Sequence, residues 1–531
     1  MKKLVSLILT VLMIFSCAST ALAATDIVVN IPAFDTWPHG DKNPIVYIDG
    51  IVSKGIYYKE DVNQEDPLFF PINGDKILGG LKKYEDILAR AVLEKDVNLL
   101  ANFVKVWADD VYGDIALKED GYTMSDKVYV PETLLDPYDE ARDECMYTFR
   151  YDCRLDPCDI ADELKDFIDK VMANSGKDKV ELVAPSYGSS IALAYVQEYP
   201  EHAKAIDSMI IAVPVCNGVN VAGEIFSGKI SVDAKALKSF LNSMVADESI
   251  MALVSTLTKT GTIDFLLESL LNPAVNSDVI MDAVRTIILD IFGTMPSMWS
   301  FVDERYFEDA LTNIYGPEGS ELREKYAGLI SRIKNFHYNV LCNADEIMMA
   351  AKAAGTKVSV IAKYGRDPIP VSKEGDFMGD GFVRLEVASF GAISAMNHQT
   401  LPADYKQAVD CGHNHMSPDG CIDASTCLLP ENTWFIKNLN HGVTNRGYHA
   451  LLRRILLDEI DLVNNTDANY PQFLIVPDYD DQQVIPLETY EEPGQVVPAT
   501  EEETPWWQDF IKFITGFFPR LIEIIKGWFS K

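Results

Sequence analysis

Residues 182–190 read Leu-Val-Ala-Pro-Ser-Tyr-Gly-Ser-Ser and set Ser186 between an apolar run and the start of a helical pattern. A serine hydroxyl becomes a nucleophile when a tight strand-to-helix turn exposes its Oγ at strained dihedrals. The usual pattern, G-x-S-x-G, has small residues two before and two after the serine so that strand and helix can approach. Here Ala184-Pro185-Ser186-Tyr187-Gly188 keeps a small residue at both places. The same residues also read as a helix N-cap, in which a Ser side chain accepts a backbone N–H and does no chemistry. Context decides between the two.

A serine nucleophile needs a base to take its proton, an acid to orient that base and donors for the oxyanion. On a parallel sheet of this kind the chain order is Ser, then Asp or Glu, then His. Downstream of Ser186, Gly379-Asp380-Gly381-Phe382-Val383 puts a carboxylate between two glycines, on a bare turn where it can point into a cleft, so Asp380 is the expected acid. Five histidines follow it: His398, His413, His415, His441 and His449. His413 and His415 lie in Cys411-Gly412-His413-Asn414-His415-Met416-Ser417-Pro418, a loop after the short extended Tyr405 to Val409. A base belongs on a loop beyond the last strand, so His415 is the expected base and His413 the alternative. Trp434 to Leu439 reads as helical and His441 as its C-terminal cap. The expected oxyanion donors are the backbone N–H of Tyr187 and that of Ile51, where Gly50 leaves room for a substrate carbonyl. No phosphate-cradling glycine loop competes, and no cofactor is expected.

These residues need a scaffold. Pro44 to Gly50 is a strand ending at glycine, Tyr147 to Tyr151 a second, Val180 to Val183 a third and Met209 to Pro214 a fourth. Helical spacing runs from Ile160 to Met172 and from Ser189 to Tyr199. Alternation of strand and helix predicts a mostly parallel sheet with helices on both faces. It stops near Asn217, residues up to about 345 are mainly helical, and strands resume at Lys357 to Ala362. An insertion of that size beyond the fourth strand predicts a lid over the elbow. The expected organisation is therefore a core over 24–216 and 346–476, interrupted by a helical lid over 217–345.

The ends differ from this core. Met1-Lys2-Lys3, the apolar Leu4 to Phe15 and Ala21-Leu22-Ala23 read as a secretory signal over 1–23, so the protein is expected to be secreted or held at the cell surface. Residues 477–504 carry nine acids and no base and read as a solvated linker that does not pack. Residues 505–531 place Trp507, Phe510, Ile511, Ile514, Phe517, Phe518 and Leu521 at helical spacing with lysines and an arginine interspersed. They read as an amphipathic helix that attaches to a membrane or envelope surface, or packs on its own protein. The formal net charge of −34 argues against nucleic acid as a partner. Exported cysteines can pair as disulfides. Cys411, Cys421 and Cys427 stand near His413 and His415, but without a paired C-x-x-C knuckle no metal is expected.

Pro44 to Ile51, Tyr151-Asp152-Cys153-Arg154-Leu155-Asp156-Pro157, the elbow, Pro296-Ser297-Met298-Trp299 and Gly379 to Val383 together resemble successive motifs of the lecithin:cholesterol acyltransferase and phospholipase branch of the α/β-hydrolases. The resemblance spans about residues 40–450. It implies an α/β-hydrolase fold acting on lipid or other ester substrates beneath a helical lid, with Ser186, Asp380 and a late His as triad. The chain departs from the family at Cys153, where Trp is usual, at Ala184-Pro185, where Gly-His is usual, and at Asp49-Gly50. The expected activity is that of a serine hydrolase of the lipase or acyltransferase type. A catalytically inactive surface-binding protein and a peptidase on the same scaffold are the alternatives.

Overall fold

The computed structural model describes residues 42–51, 53–61, 63–64, 67–68, 79–80, 82–94, 96–131, 146–230, 278–369, 377–460, 462–463, 467–477 and 482–490. Runs of Val, Ile, Leu and Met, buried on both sides, form its central sheet, as expected where helices cover both faces. The strands are β1 (Ile45–Ile48), β2 (Met146–Phe149), β3 (Val180–Pro185), β4 (Ile206–Ala212), β5 (Lys357–Tyr364), β6 (Thr433–Lys437), β7 (Phe473–Ile475) and β8 (Ile485–Pro486). Their spatial order is β8-β7-β6-β5-β4-β3-β1-β2, and every pair is parallel except β7 with β8. This is the mostly parallel α/β architecture expected from the sequence, with β3, the strand that leads into Ser186, inside the sheet.

Parallel neighbours require crossovers, and helices supply them. The helices that matter here are α1 (Glu85–Glu94), α2 (Val97–Tyr112), α3 (Pro157–Ser175), α4 (Tyr187–Glu198), α5 (Asn220–Phe226), α6 (Asp278–Asp290), α7 (Phe307–Tyr315), α8 (Ala327–Asn339), α9 (Ala344–Ala353) and α10 (Arg446–Leu456). Helix α3 shows why the chain turns where it does. Asp156 caps its start by accepting the Cys158 N–H at 3.0 Å, Pro157 occupies the first turn, and Gly176 ends it in the left-handed region at φ 68°. Strand side chains then alternate between two cores. Ile210 and Ala212 of β4 face Trp434 and Ile436 of β6 and Leu451 and Leu452 of α10. Met209 and Ile211 face the opposite layer with Ile160 and Leu164 of α3 and Ile191 of α4.

The helical insertion after β4 contains α5 to α8, and α9 returns the chain to the sheet, packed on α4 and β5. Its α6 rests on α2, which lies between β1 and β2. The Leu117 N–H donates to Thr294 Oγ1 at 3.0 Å across the same seam. The helical layer is thus built from two excursions of the chain, not the 217–345 insertion alone. The region between β1 and β2 carries amphipathic helices, not further core strands.

Three local expectations change. Trp434 to Leu439 lies on β6 and the loop after it, not on a helix. A short apolar run rich in aromatic and branched residues has no period that separates buried strand from buried helix. Tyr405 to Val409 pairs with no strand, and bends at Ala408 and Val409. Residues 482–490, expected to be unpacked linker, add β8 to the sheet, and Leu487 is buried. The apolar Val484, Ile485 and Leu487 within the acidic stretch account for this. Cys153, Cys158, Cys216, Cys342, Cys411, Cys421 and Cys427 are free thiols, so no disulfide joins the described cysteines. Among the described residues no helix is long and apolar enough to cross a membrane. The 1–23 signal, residues 491–504 and the 505–531 helix lie outside the described residues.

Candidate active site

Ser186 ends β3 and precedes α4 with φ 51° and ψ −123°, a conformation strongly disfavoured for a side-chain-bearing residue. The surroundings hold it there. Its N–H donates to the Ala212 carbonyl at 2.8 Å, and its own carbonyl accepts the Ser189 hydroxyl at 2.6 Å. Gly188 explains the small residue two positions on, since a Cβ there would lie 3.1 Å from the carbonyl oxygens of both Ile48 and Asp49. No side-chain capping bond forms at Ser186, so the N-cap alternative does not describe it.

Its Oγ instead meets His441 Nε2 at 2.8 Å, and His441 Nδ1 meets Asp380 Oδ2 at 2.7 Å. Both partners are buried. The other carboxylate oxygen of Asp380 accepts the N–H groups of Phe382 at 3.0 Å and Val383 at 2.8 Å, which explains the tight glycine-flanked turn. The His441 N–H also donates to the Asp380 carbonyl at 3.0 Å, so acid and base loops are tied together by backbone as well as side chain. With Asp380 accepting at Nδ1, the neutral imidazole carries its proton there and turns the Nε2 lone pair to Ser186.

The expected base, His415, is elsewhere. It is fully buried, with Nδ1 2.7 Å from Gln472 Oε1 and Nε2 3.2 Å from a Glu431 oxygen. The alternative, His413, is half exposed and contacts the same carboxylate. Both sit near the start of β6, whereas the histidine at Ser186 follows its end. The histidine does lie on a loop after a strand, but that strand is β6, the one read as helix, and β7 and β8 still follow it.

The loop expected to supply an oxyanion donor follows β1. A Cβ at Gly50 would come 3.7 Å from Ser186 Cβ, so the backbone at Gly50 passes beside Ser186. Tyr151 fixes this loop, its hydroxyl 2.7 Å from the Asp49 carbonyl and 2.6 Å from that of Gly50. Burial pushes the Asp49 carboxyl up to about 7, against the pull of Arg150 and Ser53.

Sequence reasoning missed one supporting residue, Lys363. Its ammonium enters the floor from β5 and donates to the carbonyls of Asn440, His441 and Val443 at 3.2, 3.0 and 2.6 Å. Burial lowers this lysine to about 7, with Asp380 pulling the other way. A lysine inside the largely apolar Val358 to Tyr364 run was the available signal.

The motifs of the family resemblance meet around the elbow. Arg154 is buried in a bidentate pair with Asp152, Nε to Oδ1 at 2.9 Å and Nη2 to Oδ2 at 2.7 Å. The Arg154 carbonyl accepts the Ser297 N–H at 3.4 Å. Beyond it, Tyr187 stacks on Phe301 at 5.4 Å, Phe301 meets Phe382 at 6.5 Å, and Phe382 meets the His441 ring at 5.3 Å. These buried rings form an apolar row from the elbow through Phe301 of the helical insertion to His441.

No protein-family profile and no curated protein matches the chain. Among solved structures it is similar to a chain of the Tle4–Tli4 complex, with 11% identity, 78% of this chain and 98% of that chain covered, and a TM-score of 0.29. It is also similar to KEX1(delta)p, a prohormone-processing carboxypeptidase from Saccharomyces cerevisiae, with 10% identity, 78% and 82% coverage and a TM-score of 0.24. Both scores are too low for either likeness to bear on this chain's activity.

Proposed function

We propose that the protein is an exported serine hydrolase of the lipase or acyltransferase type, acting on lipid-like esters. The observation that carries this reading is the Ser186–His441–Asp380 hydrogen-bonded chain at an elbow of positive φ. Ser186 Oγ attacks the ester carbonyl carbon as its proton passes to His441 Nε2, and Asp380 holds the resulting imidazolium. The Tyr187 and Ile51 N–H groups stabilise the oxyanion. Collapse breaks the bond to the alcohol oxygen, which takes the proton from His441, and leaves an acyl group on Ser186. Water or a second alcohol, deprotonated by His441, then releases a free acid or a new ester.

The choice of an acyl chain over a small polar group rests on the motif resemblance read from the sequence. Export rests on the 1–23 pattern and surface attachment on the 505–531 pattern, both read from sequence. A fluorophosphonate probe, with esters of rising chain length assayed alongside, tests the nucleophile. The wild type should be labelled and Ser186→Ala left unlabelled and inactive. Equal labelling of the two removes Ser186 as nucleophile, and a wild type inert to both probe and every ester returns the inactive surface-binding reading.

A further inference from the structure

A second cluster with its own chemistry lies at the other end of β6. Cys411, His413, His415 and Glu431 each aim one ligand-type atom at a common point, and those atoms all lie within 4.8 Å of one another. Sequence spacing did not reveal this set, because Glu431 joins it only through the fold.

The hydrogen bonds around His415 show what the cluster is missing. Gln472 donates its amide N–H groups to the carbonyls of Pro430 at 2.8 Å and Thr433 at 3.1 Å, which fixes its Oε1 toward His415. His415 Nδ1 must therefore be the nitrogen that donates, at 2.7 Å. In the neutral ring Nε2 is then a bare lone pair, and it faces a Glu431 carboxylate oxygen at 3.2 Å inside the protein. Two acceptors in that position need a cation between them. A proton on Nε2 is one solution; a metal ion held also by His413, which meets the same Glu431 oxygen, and by Cys411 is the other.

We propose that Cys411, His413, His415 and Glu431 bind one zinc ion. The donor set, one sulfur, two imidazoles and one carboxylate, suits a borderline-soft tetrahedral ion and not calcium or magnesium, which take oxygen ligands. Ligand bonds of about 2.0–2.3 Å put tetrahedral ligand atoms about 3.3–3.8 Å apart. The widest pair here closes to that by about 1 Å, within reach of the exposed Cys411 and His413 side chains. Gln472 is the outer partner that orients His415, as metal-bound histidines require. The thiol of Cys411 releases its proton to solvent on binding.

The ion is structural. Four protein ligands leave no open position for substrate. Glu431 precedes β6 and His441 follows it, and five strand residues alone span about 17 Å, so the ion takes no part at Ser186. Its task is to staple the irregular stretch 395–421, which has no strand or helix of its own, to the start of β6. Loops beyond about 12–15 residues without secondary structure are uncommon unless something holds them.

The test uses the full chain, stripped with a chelator and dialysed, then titrated with zinc or cobalt. The wild type should take up one zinc per chain, and cobalt should give a thiolate charge-transfer band that zinc abolishes. Cys411→Ser should lose the band, and both it and His413→Ala should weaken zinc binding by at least about tenfold, with far-UV circular dichroism confirming that the exposed substitutions keep the fold. Gln472→Leu should weaken it about 10–100-fold without removing a ligand. A wild type that takes up no zinc overturns the proposal and leaves His415 and Glu431 as an imidazolium–carboxylate pair. Uptake equal in wild type, Cys411→Ser and His413→Ala overturns it as well.

Discussion

Asp380→Asn is the sharpest probe of the active-site reading, because the structure fixes which way the new amide must face. In the wild type Oδ1 accepts the Phe382 and Val383 N–H groups and Oδ2 accepts from His441 Nδ1. An asparagine keeps its oxygen against the two backbone donors, since turning its NH₂ toward them would set three donors against each other. The NH₂ group then faces His441 and donates to Nδ1, so the ring moves its proton to Nε2. That nitrogen is 2.8 Å from Ser186 Oγ and can no longer accept its proton. A wrong tautomer of this kind costs about 10⁴ in kcat in a serine protease triad, or about 5.5 kcal/mol at about 1.36 kcal/mol per decade. The ground-state loss is smaller, about 1–3 kcal/mol for replacing one charge-assisted hydrogen bond by a neutral one. Steady-state kinetics on a soluble ester should show kcat falling by about 10⁴ with KM little changed, while thermal unfolding shows a modest shift. Activity within about tenfold of wild type would refute the tautomer argument.

Two further outcomes are expected. Lys363→Met leaves the Asn440, His441 and Val443 carbonyls without their buried donor, at about 1–3 kcal/mol each. Denaturant unfolding should show a loss of several kcal/mol, and kinetics a larger fall in kcat than in KM; unchanged values on both counts would remove Lys363 as support for the His441 loop. Its folded value of about 7 lies below its ordinary 10.5. Between the two the unfolded chain binds the extra proton, so this group's contribution to stability rises with pH across that window, and a stability profile of wild type against Lys363→Met should show the difference. Deleting residues 505–531 should release the protein from anionic-lipid or zwitterionic vesicles and spare activity on a soluble ester; unchanged co-sedimentation discards the attachment helix.

The chain declares its sheet and its elbow because both are local. Val180 to Val183, Met209 to Ala212 and Lys357 to Ala362 are branched or apolar runs whose burial needs no distant information, and the glycine at 188 marks a close approach. Asp380 is legible for the same reason, as a carboxylate on a turn too tight for a side chain to hide. His441 was not. Thr433-Trp434-Phe435-Ile436-Lys437 carries no alternation, since helices bury both faces of a central strand, and five residues are too few to show a helical period. Taking it for a helix turned the following histidine into a cap and moved the base some thirty residues upstream. Helices α1 and α2 escaped for another reason: an excursion between the first two strands resembles core until its partner, α6, is seen against it. Glu431 and Gln472 are legible only in three dimensions, because they come from segments about 20 and 60 residues from His413 and His415 or from different strands' ends.

The rim of the sheet at β8 bears on how the molecule behaves among copies of itself. A central parallel sheet that ends in a bare strand offers a row of unpaired amides that a neighbour can copy. Here the last strand is two residues long, runs against the others and contains Pro486, which has no N–H to offer. An incoming strand meets a ladder one rung deep with a donor missing. The segment that looks from its charge like mere spacer is therefore a stopper, ending this edge of the sheet in a form that a neighbouring strand gains little by extending.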